Sequence, residues 1–224
     1  MSITLHHVAQ ARSFRVLWAL CELGVDFTVE QHSFFDGSLQ GEAFRAKSPA
    51  SRVPALDLHG RTYFESGAIL ELLAETFDGG LGRAVGSDHR GAYLEWLHFG
   101  ETMGQHLANL TQHHIILFEA SMRSPTVMRL EAKRLAKCIG AVVGAVGDQA
   151  YLLPDGFSMA DIAVGYALWI AQRFVDLAEI DGATAYLDRL SARPAFQAAL
   201  TRDGAAQIYT QDFYPPPPKE APNA

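Results

Sequence analysis

Cysteine is scarce in this sequence, which has two such residues in a chain of 224. Cys21 and Cys138 stand far apart and in no spacing typical of metal ligands, so we expect neither a disulfide framework nor a zinc site. Long apolar runs are also missing, because no stretch approaches the roughly 20 residues that cross a bilayer. The first residues, MSITLHHV, lack the basic and apolar segments of a secretion signal. We therefore expect a cytoplasmic protein with no membrane partner.

Basic charge is in short supply as well. The chain has 18 Lys and Arg residues against 25 Asp and Glu, and its net charge is -7. A surface that follows nucleic-acid phosphates needs clustered positive charge, whereas the basic residues here are spread along the chain, so we expect no nucleic-acid partner. Hydrophobic residues make up 49% of the sequence. This fraction is typical of a globular protein with one or two cores.

The N-terminal part begins with a β-α-β pattern. SITLHHV and FTVEQH have the period-two alternation of strands, and between them the residues from Ser13 to Leu23 have helical spacing that stops at Gly24. A strand, helix and strand in this order favour a right-handed crossover between parallel strands. The pattern therefore predicts a parallel pair at the centre of this part.

A β-β-α pattern follows after a polar loop. VPALDL and RTYF predict two strands joined by a tight turn at His59 and Gly60, which is typical of an antiparallel hairpin. The next segment, SGAILELLAETF, predicts a helix with Ser66 as its N-cap. Residues 1–78 are therefore predicted to form an α/β domain with a mixed four-stranded sheet.

The pattern changes after residue 78. Residues 79–87 are rich in glycine and have no periodicity, which predicts a linker. Helical spacing with hardly a strand signal then predicts an all-α helix bundle over residues 88–210. The proline-rich residues 211–224 predict an extended, mobile tail. The predicted helical segments are 88–120, 126–146, 159–175 and 183–201.

Two local motifs are candidates for ligand binding. Pro54 after Val53 is either an ordinary strand-edge proline or part of a cis peptide bond, which would leave the Val53 N–H and C=O free to pair with a bound peptide. Glu65 and Ser66 begin a helix, so Ser66 suits a ligand carboxylate and Glu65 suits a ligand ammonium. Arg52 suits a second carboxylate, although a solvated arginine is the default reading.

Five segments together resemble the glutathione transferase superfamily, of the bacterial cytosolic type with a serine-type N-terminal motif: ARSFRVLWALCELGVDF, SPASRVPAL, FESGAIL, DGFSMADIAVGYAL and SARPAFQAAL. The resemblance covers nearly the whole chain. It implies a thioredoxin-like first domain with a cis proline before the third strand, an all-α second domain, and glutathione as co-substrate. The glutathione-binding residues that it implies are Gln40, Arg52, Val53, Pro54, Glu65 and Ser66.

Ser158 and Asp161 match the capping element of that family's second domain. The Ser158 hydroxyl is expected to accept from the Asp161 N–H, and the Asp161 carboxylate is expected to accept from the Ser158 N–H. We interpret this pair as a folding device rather than as a catalytic one.

The sequence departs from the family at Ala11. Relatives with a catalytic serine have it at this position, four residues before the arginine of the R-V-L-W run. Ser13 is the nearest hydroxyl and a candidate for activating the thiol, although N-capping of its own helix is the favoured interpretation. Arg12 is a second catalytic candidate through its charge, although a solvent-facing arginine at a pocket rim is commoner. The backbone N–H groups near these two residues are the remaining source of anion stabilisation.

A polar face with helical spacing lies on the long helix after the linker. Its members His106, Asn109 and His113 are solvated by default, but the family geometry makes them candidates for the second-substrate cleft. No histidine pair has a convincing set of three ligands, so the sequence predicts no metal. Cys21 falls on the apolar stripe of the first helix, which favours a buried structural thiol.

The leading hypothesis is a glutathione transferase, which promotes thiolate attack on a small hydrophobic electrophile as in detoxification. The resemblance also implies a homodimer, in which the helix after Ser66 packs against the partner's long helix. Two alternatives stay open. One is a glutathione-dependent disulfide or peroxide reductase that uses the same site. The other is a non-catalytic glutathione-binding or assembly protein, for which Ala11 is the main support.

Overall fold

The sheet of the N-terminal part has four strands in the order β2-β1-β3-β4. The computed structural model describes residues 3–77 and 79–218. β1 and β2 pair in parallel, whereas β1 pairs with β3 and β3 with β4 in antiparallel fashion. This mixed, thioredoxin-like sheet confirms the predicted β-α-β and β-β-α units. The strands are β1 (Thr4–His7), β2 (Thr28–Gln31), β3 (Ala55–Leu58) and β4 (Arg61–Phe64).

Three helices accompany this sheet: α1 (Ser13–Leu23), α2 (Glu42–Lys47) and α3 (Ser66–Thr76). α1 ends at Gly24, whose φ of 63° is the left-handed conformation that glycine adopts without cost. The hairpin turn has positive φ at both His59 and Gly60, at 53° and 80°, as a two-residue turn of type I′ requires. The sequence analysis assigned α2 to a polar loop, because one turn and a half of helix leaves too little periodicity to detect.

Two serines do not have the N-cap roles predicted for them. α1 begins at Ser13 itself, and its hydroxyl accepts from the Val8 N–H and donates to the Val8 C=O, both at 3.3 Å. Arg12 therefore occupies the N-cap position, without a side-chain capping bond. In the same way α3 begins at Ser66, and Glu65 precedes it as the N-cap residue. Both predictions are wrong by one residue, because each hydroxyl bonds a group outside its own helix.

The remainder of the chain is all-α, as predicted, but its helix boundaries differ. A π-helical turn over Gln112–Ile116 ends the long first helix before residue 120. The predicted segment 183–201 is two helices, because Pro194 lacks an N–H and keeps Arg193 in an extended conformation. The helices are α4 (Arg90–Thr111), α5 (Pro125–Val146), α6 (Met159–Ala171), α7 (Ala183–Ser191) and α8 (Pro194–Asp203).

α1 is the helix that joins the sheet to the helical part. The ring centroids of Phe14 and Trp169 lie 4.6 Å apart, and Trp18 meets Phe196 edge to face at 4.9 Å. α6 approaches this closely because Gly165 has no side chain. A Cβ at Gly165 would lie 3.1 Å from the Trp18 ring. Aromatic burial at this contact therefore fixes the position of α1 against α6 and α8.

The segment between α3 and α4, which the sequence analysis interpreted as a linker, is tied to the helical part by one arginine. Arg83 is only 9% exposed, and its guanidinium pairs with both oxygens of Asp155 at 2.7 and 2.9 Å. The same guanidinium donates to three glycine carbonyls. A bidentate pair of this kind restrains the segment despite its glycine content.

The expected mobile tail is anchored as far as the structure describes it. The Tyr214 ring stacks on Phe174, with the ring centroids 5.5 Å apart. The backbone N–H of Tyr214 donates to the Arg173 carbonyl at 2.7 Å. Arg129 donates to the Pro218 carbonyl at 3.0 Å. Residues 211–218 are therefore held by contacts at Tyr214 and Pro218, where an aromatic ring gives the segment something to bury, and the expectation of mobility stays a prediction. Residues 219–224 lie outside the described part.

None of the helices in residues 3–77 and 79–218 combines the length and apolar character needed to cross a bilayer.

The predicted capping element at the start of α6 is present and extends beyond the helix. Asp161 accepts from the N–H groups of Ser158 and Leu152, each at 2.9 Å, and from the Tyr186 hydroxyl at 2.7 Å. The Ser158 hydroxyl accepts from the Ala160 N–H at 3.3 Å. Asp161 is fully buried. One carboxylate therefore connects the start of α6 with α7 and with the loop that precedes α6.

We expect Asp161→Ala to lower the free energy of unfolding by about 3 kcal/mol, because two buried N–H groups lose their acceptor at roughly 1–3 kcal/mol each. Urea denaturation followed by circular dichroism measures this loss. Asp148→Ala, at an exposed carboxylate, is the control and should stay within about 0.5 kcal/mol of the parent. Equal effects of the two substitutions would contradict a structural role for the Asp161 network.

Candidate functional site

A cavity of ≈ 140 Å³ lies where the start of β3, the start of α3 and the middle of α4 meet. Its wall brings together five of the six residues that the resemblance implied for glutathione, and it adds Arg12 and Glu101. Gln40, which is exposed at the end of a single 3-10 turn, does not line it. The residues brought together are Arg52, Val53, Pro54, Glu65 and Ser66.

Val53 offers a free backbone edge to this cavity. The Val53-Pro54 peptide bond is cis, as expected. Within the described residues, neither the N–H nor the C=O of Val53 forms a hydrogen bond, whereas the neighbouring Arg52 N–H donates to the Ser48 hydroxyl at 3.2 Å. A donor and an acceptor on the same residue can pair with an extended peptide as an added strand would.

The start of α3 forms the opposite wall. Glu65 has φ of 71° and ψ of 110°, which is a rare conformation for a residue other than glycine. Its side chain is exposed, while Ser66 next to it is buried. The helix N-terminus carries unpaired N–H groups and a partial positive charge. An acidic group and an anion-binding helix end therefore stand side by side, as a zwitterion requires.

A buried arginine supports Ser66 from behind. Arg15 of α1 is 1% exposed, and its Nη1 donates to the Ser66 hydroxyl at 3.1 Å and to the carboxylate of Glu101. Its Nη2 donates to the Gly100 carbonyl at 2.8 Å, and its guanidinium lies 5.0 Å from the centre of the Tyr166 ring. Because the Ser66 oxygen accepts from Arg15, its own O–H is directed to other acceptors. One such acceptor is the Glu101 carboxylate, whose pKa the Ser66 hydroxyl helps to lower.

Arg12 and Glu101 close the cavity on the side of α4. Arg12 donates from Nη2 to the Gly104 carbonyl at 3.0 Å, and its Nε lies 3.4 Å from the Glu101 carboxylate. A Cβ at Gly104 would lie 3.0 Å from the Arg12 guanidinium. Burial raises the pKa of Glu101, but the charges of Arg15 and Arg12 outweigh it, and the pKa is lowered overall. Glu101 is therefore a carboxylate held between two arginines.

The sequence analysis missed Glu101 and the role of Arg15. Arg15 lies in an apolar stretch of α1 and Glu101 lies on α4. Nothing in the sequence around either residue indicates that the two side chains meet. One signal was present, because Gly100 and Gly104 stand four apart and mark a helix face that something approaches closely. The two glycines flank Glu101 on the face that meets α1 and α6.

The structure does not bring the Ser13 hydroxyl to the cavity, because Ser13 is fully buried and bonded to Val8. Ala11 contributes its N–H to the Val8 carbonyl at 3.1 Å. Among the described residues, the N–H groups of Arg12 and Ser13 form no hydrogen bond. Of these two residues only Arg12 lines the cavity, so its N–H is the backbone group at the start of α1 that is available for an anion there.

The polar face of α4 is directed to α5 rather than to the cavity. His106 Nδ1 lies 2.6 Å from a carboxylate oxygen of Glu131, which also bonds Asn109. His113 Nδ1 accepts from the Ser124 N–H at 3.1 Å. The three side chains thus satisfy polar groups between two helices and are absent from the cavity wall. The sequence placed them on one face correctly, but it does not show what that face meets.

We expect Glu101→Gln to lower the free energy of unfolding by about 1–2 kcal/mol near neutral pH, because the buried Arg15 loses its counter-charge. The pKa of Glu101 is lowered in the fold, so its carboxylate stabilises the protein above the unfolded pKa of about 4.3, and this contribution is lost as the pH falls through the folded pKa. The difference from the parent should therefore shrink in acid.

Urea denaturation at about pH 7 and at about pH 3 measures the difference in unfolding free energy between Glu101→Gln and the parent. A glutamate is ionised at the higher pH and is far more protonated at the lower one. Glu95→Gln, at an exposed glutamate of the same helix, serves as the control. A deficit in Glu101→Gln that is the same at both pH values would contradict the ion pair.

Residues 11–76 match the family model described as glutathione S-transferase, N-terminal domain. Glutathione S-transferase 3 of Schizosaccharomyces pombe is 26% identical over 238 residues, which cover 96% of this chain and 97% of that protein. A glutathione S-transferase of Escherichia coli O157:H7 is 28% identical over 189 residues, which cover 83% and 90% of the two chains.

Solved structures give the same result. A sphingomonad glutathione S-transferase complexed with glutathione is 27% identical, with a TM-score of 0.75, and the match covers 91% of this chain and 100% of that one. A glutathione transferase from Methylococcus capsulatus is 27% identical, with a TM-score of 0.78 and coverage of 90% and 98%. The family-model match to the N-terminal part, the curated relatives and the solved structures together support an assignment to the glutathione S-transferase superfamily.

Proposed function

We propose that this protein is a glutathione transferase that binds glutathione in the cavity and promotes attack of its thiolate on a small hydrophobic electrophile. One observation carries the proposal: a carboxylate, a helix N-terminus, a free backbone edge and an arginine surround a single volume. A related structure of 27% identity contains glutathione. The tripeptide presents an ammonium, two carboxylates and a peptide backbone, and each has a partner of suitable chemistry here.

The binding mode follows from the position of these groups. In the proposal the Ser66 hydroxyl and the α3 N-terminus take the γ-glutamyl carboxylate, and Glu65 takes the ammonium. The N–H and C=O of Val53 pair with the cysteinyl backbone, and Arg52 takes the glycine carboxylate. Gln40 has no part in this mode, because it does not line the cavity.

Charge supports the same mode. Three arginines lie at the cavity or directly behind it, Arg12, Arg15 and Arg52, against the two glutamates Glu65 and Glu101. The site therefore has one excess positive charge, which complements glutathione with its two carboxylates and one ammonium. A favourable field of this kind also lowers the free energy of the thiolate, which adds a further negative charge.

Thiolate formation needs a source of stabilisation other than a hydroxyl. A thiol with a pKa of about 8.5 becomes mostly ionised at neutral pH when the pKa falls by about two units, which requires about 2.7 kcal/mol. A hydrogen bond to a charged group contributes about 1.5–3 kcal/mol and a helix N-terminus about 0.3–1. In the proposal the unbonded N–H of Arg12, together with the Arg12 guanidinium, supplies a stabilisation of this magnitude.

The electrophile, in this proposal, lies over a different face of α4 from the one that the sequence suggested. Glu101 lines the cavity, and the Gly104 carbonyl one turn further along α4 accepts from Arg12. Helical spacing continues that face through Gln105 and Ala108, both of which are exposed. In this proposal His106, Asn109 and His113 take no part, because their side chains bond α5 and the residue before it.

A non-catalytic glutathione-binding protein is the second candidate, and the buried Ser13 hydroxyl favours it. The reductase alternative has less support from the chain's own thiols. Burial raises the pKa of both Cys21 and Cys138, and neither lines the cavity. Steady-state assays with aryl halides, hydroperoxides and disulfides, together with calorimetric titration of glutathione, separate the three functions. Binding without turnover of any substrate would contradict the transferase.

We also propose a homodimer, in which α3 packs against α4 of a second copy. Phe64 supports this, because it is 48% exposed on the edge strand β4, immediately before α3. An exposed aromatic side chain on a sheet edge is a liability that a partner surface would cover.

We expect Ser66→Ala to weaken glutathione binding by about 1–2 kcal/mol, or roughly 5- to 30-fold, through the loss of one charge-assisted hydrogen bond. Calorimetric titration measures the change. Ser121→Ala, at an exposed serine in a 3-10 turn, should leave the affinity unchanged. If Ser66→Ala also binds with parental affinity, the carboxylate site is not where we propose it.

We expect Ser13→Ala to leave the ultraviolet thiolate absorbance of bound glutathione unchanged, because this hydroxyl is bonded to Val8. The same substitution should cost about 1–3 kcal/mol of stability, since the buried Val8 N–H loses its acceptor. Ala11→Ser is the matched variant, and it should increase the thiolate signal by adding a hydroxyl at the start of α1. A reduced signal in Ser13→Ala would make Ser13 the activating group.

A further inference from the structure

A second cluster of functional side chains lies on the sheet face that α2 covers, formed by His6, Glu30 and His32. One ligand atom from each of the three lies within 4.8 Å of the other two. His6 is fully buried and the His32 side chain is 9% exposed, whereas Glu30 reaches solvent at 55%. None of the three lines the glutathione cavity. Their chemistry is therefore separate from the proposed transferase function.

The register of the parallel strands brings them together. His6 of β1 is the partner of Glu30 of β2, so their side chains emerge on the same face of the sheet. His32 follows two residues after Glu30 and shares that face. The His32 N–H donates to the His7 carbonyl at 2.7 Å, which continues the strand pairing and fixes the position of His32.

The distances between the ligand atoms suit one small cation. His6 Nδ1 lies 3.1 Å from His32 Nε2 and 3.4 Å from a Glu30 oxygen, and His32 Nε2 lies 3.5 Å from the other Glu30 oxygen. Ligands bound at about 2.0–2.1 Å in tetrahedral geometry lie roughly 3.3 Å apart. The two imidazole nitrogens are therefore spaced as ligands of one tetrahedral ion, and each has a different Glu30 oxygen at a similar distance, so the carboxylate can complete the site through one oxygen or through both.

Asp57 orients the first ligand. Its carboxylate oxygen lies 3.0 Å from His6 Nε2, so the neutral ring carries its proton on Nε2 and directs the Nδ1 lone pair to the cluster. A carboxylate behind a metal-binding histidine is the usual supporting arrangement in such sites. Lys47 in turn bonds Asp57 at 2.6 Å, and Phe44 packs on both imidazoles. The supporting groups thus come from β3 and α2.

We propose that His6, Glu30 and His32 form a binding site for a divalent transition-metal ion of the zinc type, which clamps the edge strand β2 to β1. Two imidazoles and a carboxylate are a donor set that zinc uses, and they disfavour magnesium and calcium, which prefer oxygen ligands. A metal ion can bind His32 Nε2 only when the ring carries its proton on Nδ1. The ion therefore takes the place of the hydrogen between His6 Nδ1 and His32 Nε2. This site departs from the metal-free expectation drawn from the sequence.

Titration of ZnCl₂ into the full-length, untagged protein after chelator treatment tests the site. We expect one equivalent to bind, a melting temperature that rises with zinc concentration, and visible Co²⁺ bands of tetrahedral type. Glu30→Gln and His32→Gln should each weaken zinc binding by at least the roughly 10- to 100-fold that loss of a supporting group produces. Because Glu30 is exposed, its variant should fold as the parent does, which circular dichroism checks.

Two controls separate this site from others on the chain. His98→Gln, at an exposed histidine of α4, and the double variant Cys21→Ser, Cys138→Ser should bind zinc as the parent does. Parental affinity in both Glu30→Gln and His32→Gln would overturn the proposal, as would the absence of any zinc binding tighter than about 1 mM. Glutathione binding is measured in parallel, and its loss or retention bears only on the cavity.

Discussion

The buried guanidinium of Arg15 is the interaction on which the arrangement of the site depends. It belongs to α1, yet it bonds Ser66 at the start of α3 and both Gly100 and Glu101 on α4. A charge that is 1% exposed must be neutralised and hydrogen-bonded, or it destabilises the fold. The requirement for partners therefore fixes the positions of three helices relative to one another, and the cavity lies where they meet.

The aromatic contact between α1 and the helical part supplies the apolar side of the same junction. Phe14 and Trp18 pack on Trp169 and Phe196, and Gly165 lets α6 come near. Apolar burial is non-directional, so it brings the helices together without choosing a single geometry. The directional bonds of Arg15 select one. Packing and polar bonding thus have complementary effects at this site.

Local patterns predicted the sheet, its hairpin, most of the helices and the capping element at Ser158 and Asp161. These features depend on spacing and turn chemistry within a few residues. The resemblance supplied the residues that gather around the cavity. What could not be predicted depends on which surfaces meet: the buried bonds of Ser13, the direction of the His106 face, and the role of Glu101. Each involves a partner far away along the chain, and spacing carries no information about such a partner.

Pro194 and Tyr214 show where prediction from the sequence can be improved and where it cannot. Pro194 divides a run that keeps helical spacing, and its effect is local, because the missing N–H is visible in the sequence itself. Tyr214 anchors a segment whose composition is typical of a disordered tail. The Phe174 ring and the Arg173 carbonyl, both far from Tyr214 in the sequence, explain that anchoring. Composition therefore describes a tendency that one well-placed aromatic partner can reverse.

Gly100 has a consequence for how the two parts of the molecule respond to each other. Its carbonyl receives the Arg15 guanidinium, and its missing side chain admits Ala163 of α6, whose nearest atom would lie 3.0 Å from an added Cβ. The distance between α4 and α6 and the position of the Ser66 hydroxyl therefore both depend on the Gly100 peptide unit. A change in the distance between α4 and α6 would therefore also displace the guanidinium that holds Ser66 at the cavity wall.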